Sequence, residues 1–387
     1  MAEVEIGIGK SGRRAYGFDD IAIVPSRRTR DPEDIDLSWE IDAFHFELPL
    51  LASAMDGVVS PASAIEIGRL GGLGVLNLEG LWTRYDNPDA VLDEIASLAD
   101  AEATPRMQEI YKEPVKPELI GKRIQEIKQA GVVTAASLTP QKVGKLHTHC
   151  LEAELDILVI QGTVVSAEHV SSRSEPLNLK EFISSYDLPV IVGGCASYST
   201  ALHLMRTGAA GVLVGVGPGA ACTTRGVLGI GVPQATAMAD AAGARVRHLE
   251  ETGRYVHVIA DGGMRLGGDV AKAIACGADA VMIGSPLARA AEAPGRGYHW
   301  GMATFHPDLP RGTRVRTSIL GTMKEVLLGP APVNDGTMNL FGALRTSMAT
   351  TGYATIKEFQ RAEVMVAPSL QTEGKALQRA QGVGMGK

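Results

Sequence analysis

The chain has 387 residues, of which 45% are hydrophobic and 21% charged, and its formal net charge is −7. That composition is ordinary for a soluble globular protein, and the acidic balance excludes function classes built on nucleic acid or an anionic membrane surface. The four cysteines (Cys150, Cys195, Cys222, Cys276) form no Cys-x-x-Cys pair, no apolar run reaches membrane-span length, and the N-terminus carries no signal-peptide core. A reducing, cytoplasmic setting is therefore expected, with no zinc knuckle.

In chain order, AYGFDDIAIVP (15–25) reads as a lead-in strand and ELPLLASAM (47–55) as an apolar strand ending in small residues. A helix should follow Ser60-Pro61, since proline suits the first helical turn, and run to about Leu70. GGLGVLNL (71–78) is the next strand, and 86–98 the next helix. The segment 99–118 has mixed charge, three prolines and weak periodicity. Residues 118–129 then have amphipathic helical spacing. Strands follow at 132–138, 156–162 and 189–195, with helices from 141, over 179–184 and over 198–207. After the strand at 211–216 and a long loop come a helix at 234–250, a strand at 255–263, a helix at 268–276 and a last strand at 280–286.

Eight apolar runs, nearly all followed by helical patterns, imply right-handed βαβ units in a parallel sheet. Eight of them favour a closed (β/α)8 barrel, a TIM barrel, over an open doubly wound sheet. In such a barrel the chemistry sits where the strands end. Those ends are Ser53–Asp56, Asn77, Gln161, Cys195, the loop after 216, Asp261–Gly263 and Gly284–Ser285.

The most distinctive stretch is AGVLVGVGPGAACTTRGVLGIGVPQ (210–234). Gly215, Gly217, Gly219, Gly226, Gly229 and Gly231 permit positive φ and close approach of backbone to a ligand. Cys222 sits among them, followed by Thr223, Thr224 and Arg225. A thiol in such a loop beside a cation reads as a nucleophile, and a buried structural cysteine is the competing reading. Gly215 to Ala220 also fits a dinucleotide-binding G-x-G-x-x-A with Asp240 downstream. In that motif the helix starts at the third position, whereas Pro218 and the later glycines should keep this loop open to Pro233. Asp261 reads as a strand-end carboxylate at the site or as a helix N-cap. Glycine amides would hold a phosphate without net positive charge.

These residues resemble the IMP dehydrogenase/GMP reductase family. The loop 215–234, FDDIAIVP (18–25), SAMDGV (53–58), ADGGMRLGGDVAKAIACGADAVMIGSPLA (260–288) and GALRTSMATTGY (342–353) match that family in order. The resemblance implies that Cys222 attacks C2 of a purine nucleotide, GMP or IMP, and that Thr224 helps activate the second reactant. It implies ribose contacts from Asp261, phosphate contacts from Gly263, Gly284 and Ser285, and further substrate contacts from Ser53, Met55 and the Gly301-Met302 backbone. Carbonyls of Gly217, Gly219 and Cys222 would hold a monovalent cation, K+. Gln161 and Cys195 stand where the family has an aspartate and an asparagine on the nicotinamide ribose, with Gly215 beside them. Ala220 replaces a phosphate-loop serine. A homotetramer or octamer is implied.

The family runs two reactions. Its dehydrogenases resemble one another in a pair of inserted CBS modules and a flap Arg-Tyr pair that activates water. Here about 33 residues separate the second helix from the strand at 132–138, too few for those modules, and no Arg-Tyr pair occurs between Leu287 and Gly342. The chain thus looks like a CBS-less third branch, and the expectation is GMP reduction with NADPH. The alternatives are IMP dehydrogenation with NAD, or a non-catalytic nucleotide-binding paralogue. The reductases' flap glutamate aligns with Leu320, with Glu325 nearby. Arg311, Arg314 and Arg316 read as solvated arginines or as a grip on a cofactor phosphate. One domain spanning 1–387 is expected, with a flap-like insertion at 289–337 and a mobile tail at 370–387.

Overall fold

In the computed structural model, residues 3–172, 176–301, 314–367 and 374–386 are described. Eight parallel strands close into a barrel: β1 Leu50–Ala52, β2 Leu73–Asn77, β3 Ala135–Leu138, β4 Ile157–Gln161, β5 Val190–Cys195, β6 Gly211–Val214, β7 His257–Asp261 and β8 Ala280–Ile283. Each pairs with its sequence neighbour, and β8 returns to β1. The fold is a TIM barrel, as its sequence pattern implies.

The register explains the packing. Leu51 faces Leu73, Val75 faces Ala135, Ala135 faces Ile157, Val159 faces Ile191, Leu213 faces Ile259 and Ile259 faces Ala280. These residues form one fully buried cluster inside the ring. The alternate positions Leu50, Leu76, Leu158, Val192, Val212 and Val258 pack outward into the larger cluster shared with the helices. A strand buried on both faces reads as a continuous apolar run, which is why all eight were visible.

The end opposite the strand carboxyl termini is sealed. A hairpin of Trp39–Ile41 and Phe44–Phe46 joins the inner cluster, and Trp39 packs edge-on against His257 at the start of β7. Beside it Asp279 receives Arg245 Nη1 at 2.8 Å, Val258 N at 2.8 Å, Tyr255 Oη at 2.7 Å and Lys357 Nζ at 2.5 Å. Burial alone would raise the pKa of Asp279, but Arg245 and Lys357 outweigh it and hold the carboxyl well below the usual range.

Helices fall where capping predicts. Ser60 caps Pro61–Arg69 through Ser63 N, and Ser197 caps Tyr198–Met205 through Thr200 N. The 99–118 segment, unassigned by periodicity, contains a helix, Asp100–Ile110, with Pro105 inside it. Its buried face is Ala103, Met107 and Ile110, and Tyr111 follows as its C-cap. The lead-in is a 3₁₀ turn, Phe18–Asp20, followed by Ile21–Ile23 paired with Val364–Val366. In the flap-like insertion Tyr298–His299 pairs with Val315–Arg316. The described tail holds a helix at Ala376–Gln381. Among the described residues no helix is long and apolar enough to cross a membrane.

Candidate active site at the carboxyl ends of the strands

A cavity of about 550 Å³ opens at the carboxyl ends of the strands. The loop after β6 forms one wall. It is not the open coil expected to Pro233, because a short helix, Thr224–Leu228, interrupts it and ends on Gly229 at φ 68°. No helix starts at its third glycine, which removes the dinucleotide-fingerprint reading, and Asp240 instead pairs with Arg13 at 2.6 Å.

Cys222 is exposed to the cavity. Its Sγ donates to Thr224 Oγ1 at 3.1 Å, and Thr224 itself is 3% exposed. A buried hydroxyl thus fixes the rotamer of an accessible thiol. Arg225, read from the sequence as the cation beside that thiol, has another task. Its Nη2 donates to Val232 O at 2.7 Å and its Nε to Val216 O at 3.4 Å. The side chain lies so close to the backbone that a Cβ on Gly217 or Gly231 would fall 2.5 or 2.7 Å from its Cγ. Arg225 clips the two ends of the loop together.

Asp261, the last residue of β7, is the site's half-buried carboxylate. Burial raises its pKa from 3.8 to about 6, opposed by the Gln161 amide, whose Nε2 donates to Oδ2 at 3.0 Å. Gln161 is thus committed to Asp261, not standing apart as a cofactor contact. Gln234 holds the same strand end from behind, donating to Val214 O at 2.7 Å and Asp261 O at 3.2 Å. Sequence reasoning gave Gln234 no role. Its position at the close of the glycine-rich loop was the available signal.

The loops after β7 and β8 form the far wall, the place where this fold commonly binds phosphate. Gly263 takes φ 83°, and a Cβ on Gly284 would lie 2.8 Å from Met55 Sδ, so both positions need glycine. Ser285 Oγ and His299 Nε2 share a 2.7 Å hydrogen bond. Burial pushes His299 down to about 4, so its ring is neutral at physiological pH. His299 lines the cavity beside Gly301, and the sequence reading gave it no role.

Most expected site residues meet here. Ser53, Met55, Gln161, Gly215, Gly217, Gly219, Cys222, Thr224, Asp261, Gly263, Gly284, Ser285 and Gly301 all line the one cavity. Cys195 does not. It is 2% exposed, its Sγ lies 3.5 Å from Leu213 O, and burial pushes its pKa up to about 12. Between Gly193 and Cys195 the pairing with β6 slips, and a one-residue slip turns a side chain to the other face. Met302 and Arg311 lie outside the described residues. Arg314 is no phosphate grip: it donates to Ile95 O and Leu98 O, pairs with Asp100 and stacks 4.3 Å over Tyr298. Glu325 closes the capping box of the helix Met323–Leu328 through Thr322. The cation reading asks for three converging carbonyls. Gly217, Gly219 and Cys222 all lie on this loop, and Gly219 O accepts Cys222 N at 3.0 Å, which leaves its second lone pair for a cation.

Comparison with known proteins agrees with this geometry. A family profile described as IMP dehydrogenase / GMP reductase domain matches residues 15–306. An uncharacterized oxidoreductase of Mycolicibacterium smegmatis is 50% identical over 94% of this chain and 99% of its own length. The inosine-5'-monophosphate dehydrogenase of Methanocaldococcus jannaschii is 28% identical over 93% of this chain and 94% of its own. The crystal structure of an IMP dehydrogenase/GMP reductase-like protein from Corynebacterium glutamicum superposes with a TM-score of 0.89 at 46% identity, covering 94% of this chain and 97% of that one.

Proposed function

The chain belongs to the IMP dehydrogenase/GMP reductase family and is an oxidoreductase, and on that premise we propose that it is a GMP reductase. GMP, NADPH and two protons would give IMP, ammonium and NADP+. The observation that carries this reading is the single cavity joining an accessible thiol, a half-buried carboxylate and the glycine loops after β7 and β8.

The residues take the following parts. The glycine amides after β7 and β8, with Ser285, hold the phosphate, as neutral donors in an acidic protein can. Asp261 accepts from the two ribose hydroxyls while Gln161 keeps its carboxylate aligned. That places the purine toward Cys222. The Cys222 thiolate adds to C2, and the exocyclic nitrogen leaves protonated as ammonia. Hydride then reaches C2, the carbon–sulfur bond breaks, and its electron pair returns to sulfur. A bound nicotinamide cofactor supplies that hydride. Gly162, Thr163, Gly215 and Thr224 would hold it, since their hydroxyls and backbone groups form a neutral donor set along the cavity wall. The reductase direction is favoured because the sequence carries no Arg-Tyr pair between Leu287 and Gly342 to activate water.

The test is to follow reduced-cofactor absorbance with GMP plus NADPH and, separately, IMP plus NAD. Oxidation of NADPH with release of ammonia is expected. A signal only with IMP and NAD reverses the direction, and silence in both with nucleotide still bound leaves a binding paralogue. Cys222→Ala should lose at least about a thousandfold in turnover, the scale of losing a covalent nucleophile, while retaining GMP binding by calorimetry. Persisting activity in that variant removes the covalent mechanism.

A further inference from the structure

Behind the cavity lies a buried polar node that the proposed chemistry does not use. Asp56, directly after the cavity residue Met55, is fully buried. Its Oδ2 accepts from Leu81 N at 2.8 Å and from Tyr111 Oη at 2.6 Å. Tyr111 Oη in turn accepts Trp300 Nε1 at 2.7 Å. Trp300 is fully buried and stands between His299 and Gly301, both of which line the cavity. A Cβ on Gly301 would lie 3.5 Å from the carbonyl of Ala221, the residue before Cys222.

The contacts run in one direction. Among the described residues the tyrosine hydroxyl joins Asp56, in the loop after β1, to Trp300, beside Gly301, and Gly295 N adds a backbone bond to Gly57 O at 3.1 Å. That hydroxyl donates to a carboxyl oxygen and receives from an indole, both out of water, where hydrogen bonds are strongest and loss of one partner is most damaging. The loop backbone is also packed tightly here: a Cβ on Gly57 would fall 2.8 Å from Tyr298 O, and one on Gly80 would overlap the Asp56 carboxylate. Arg84 fixes the other side of Tyr111 by donating to its carbonyl at 3.1 Å.

We propose that Tyr111 is a positioning residue: through the Asp56–Tyr111–Trp300 node it sets the spacing between the Met55 wall and the His299–Gly301 wall, and so the fit of the base beside Cys222. The base in question is the purine of the proposed function, on which this inference rests. Tyr111 belongs to the helix-containing segment between the second and third barrel strands, so a stretch remote from the chemistry gains influence over it.

The experiment compares wild type with Tyr111→Phe and Trp300→Phe in the full chain. GMP affinity is read by calorimetry, local opening by hydrogen exchange of the peptide spanning 296–301, and global stability by melting. Tyr111→Phe should weaken GMP binding about tenfold, on the scale of one buried hydrogen bond, raising KM more than it lowers kcat. Exchange should quicken at 296–301 and stay unchanged in β3 and β4. The double variant should be no worse than the poorer single variant. A lowered melting point with unchanged affinity and unchanged local exchange overturns the proposal. Should wild type bind no purine nucleotide, the proposed function fails, and the exchange comparison still decides whether Tyr111 sets the Gly301 wall. If Tyr111→Phe does not fold, Trp300→Phe, which keeps the Asp56–Tyr111 bond, must show the same local effect.

Discussion

Replacing Asp261 by Asn should make the ligand-free protein more stable at neutral pH and a far poorer binder of ribonucleotides. Burial lifts the carboxyl from 3.8 to about 6, with the Gln161 amide pulling the other way. A folded-state pKa above the unfolded one contributes stability that is fully present below about pH 3.8 and is lost as pH rises through about 6. At neutral pH the wild type therefore carries the whole penalty. At about 1.4 kcal/mol per pH unit of displacement that penalty is at most about 3 kcal/mol. The cavity leaves Asp261 partly open to water, which brings the expected gain to about 1–2 kcal/mol. Asn keeps the shape of the side chain and can still accept from Gln161, so little else changes. For a chain of this length that gain is a rise of a few degrees in melting temperature, about 2 °C per kcal/mol. Melts without ligand from pH 5 to pH 8 should show the gap between variant and wild type widening with pH, with about half of it present at pH 5. GMP affinity measured alongside should fall by about 10- to 100-fold, as expected for losing charge-assisted hydrogen bonds. A variant that melts at or below wild type at pH 7.5, or a gap that ignores pH, refutes the reasoning.

Other expectations follow from the same geometry. Gln161→Leu removes the side-chain amide that donates to Asp261 Oδ2. Nucleotide binding should weaken by about three- to tenfold, and the pH below which binding is lost should move upward from about 6. A binding-versus-pH series checks both, and an unmoved profile counts against the pairing. Arg245→Met takes the guanidinium from the buried Asp279 at the sealed end of the barrel. It should destabilise by about 3–5 kcal/mol, the usual result of leaving a buried charge half-paired, while GMP affinity stays as in wild type. Chemical denaturation and calorimetry together read it. Loss of affinity without loss of stability would contradict the separation of the two ends.

What could be read from the chain and what could not divide along a physical line. The barrel was legible because each strand is a short, mostly apolar run buried on both faces and stopped by glycine or a polar residue, a signal complete within a few neighbouring positions. Cys222 and Thr224 were legible for the same reason, being two residues apart in one loop. The helix Asp100–Ile110 was hidden by Pro105 and by having only three buried positions. Where a side chain points was the harder matter. Gln161 and Cys195 each end a strand, yet the slipped pairing at Gly193–Cys195 turns the thiol toward Leu213 O while Gln161 faces the cavity. Arg225 reads as a cation beside the thiol and Arg314 as a solvated arginine or a phosphate grip, and both prove to hold backbone carbonyls that local sequence cannot display. The remaining groups act only as pairs: Gln161 with Asp261, Ser285 with His299, Tyr111 with Trp300. Each pair is joined by closure of the ring or by the return of the insertion, not by spacing. A residue whose chemistry is made by a distant partner leaves in its own neighbourhood only the small amino acids that let the partner approach. Gly215, whose Cβ would meet Asp261 O at 2.1 Å, and Gly57, pressed against the Tyr298 carbonyl, are such traces. Glycines such as these two mark where separated parts of the chain come together, and they are the part of the site's assembly that the linear sequence does record.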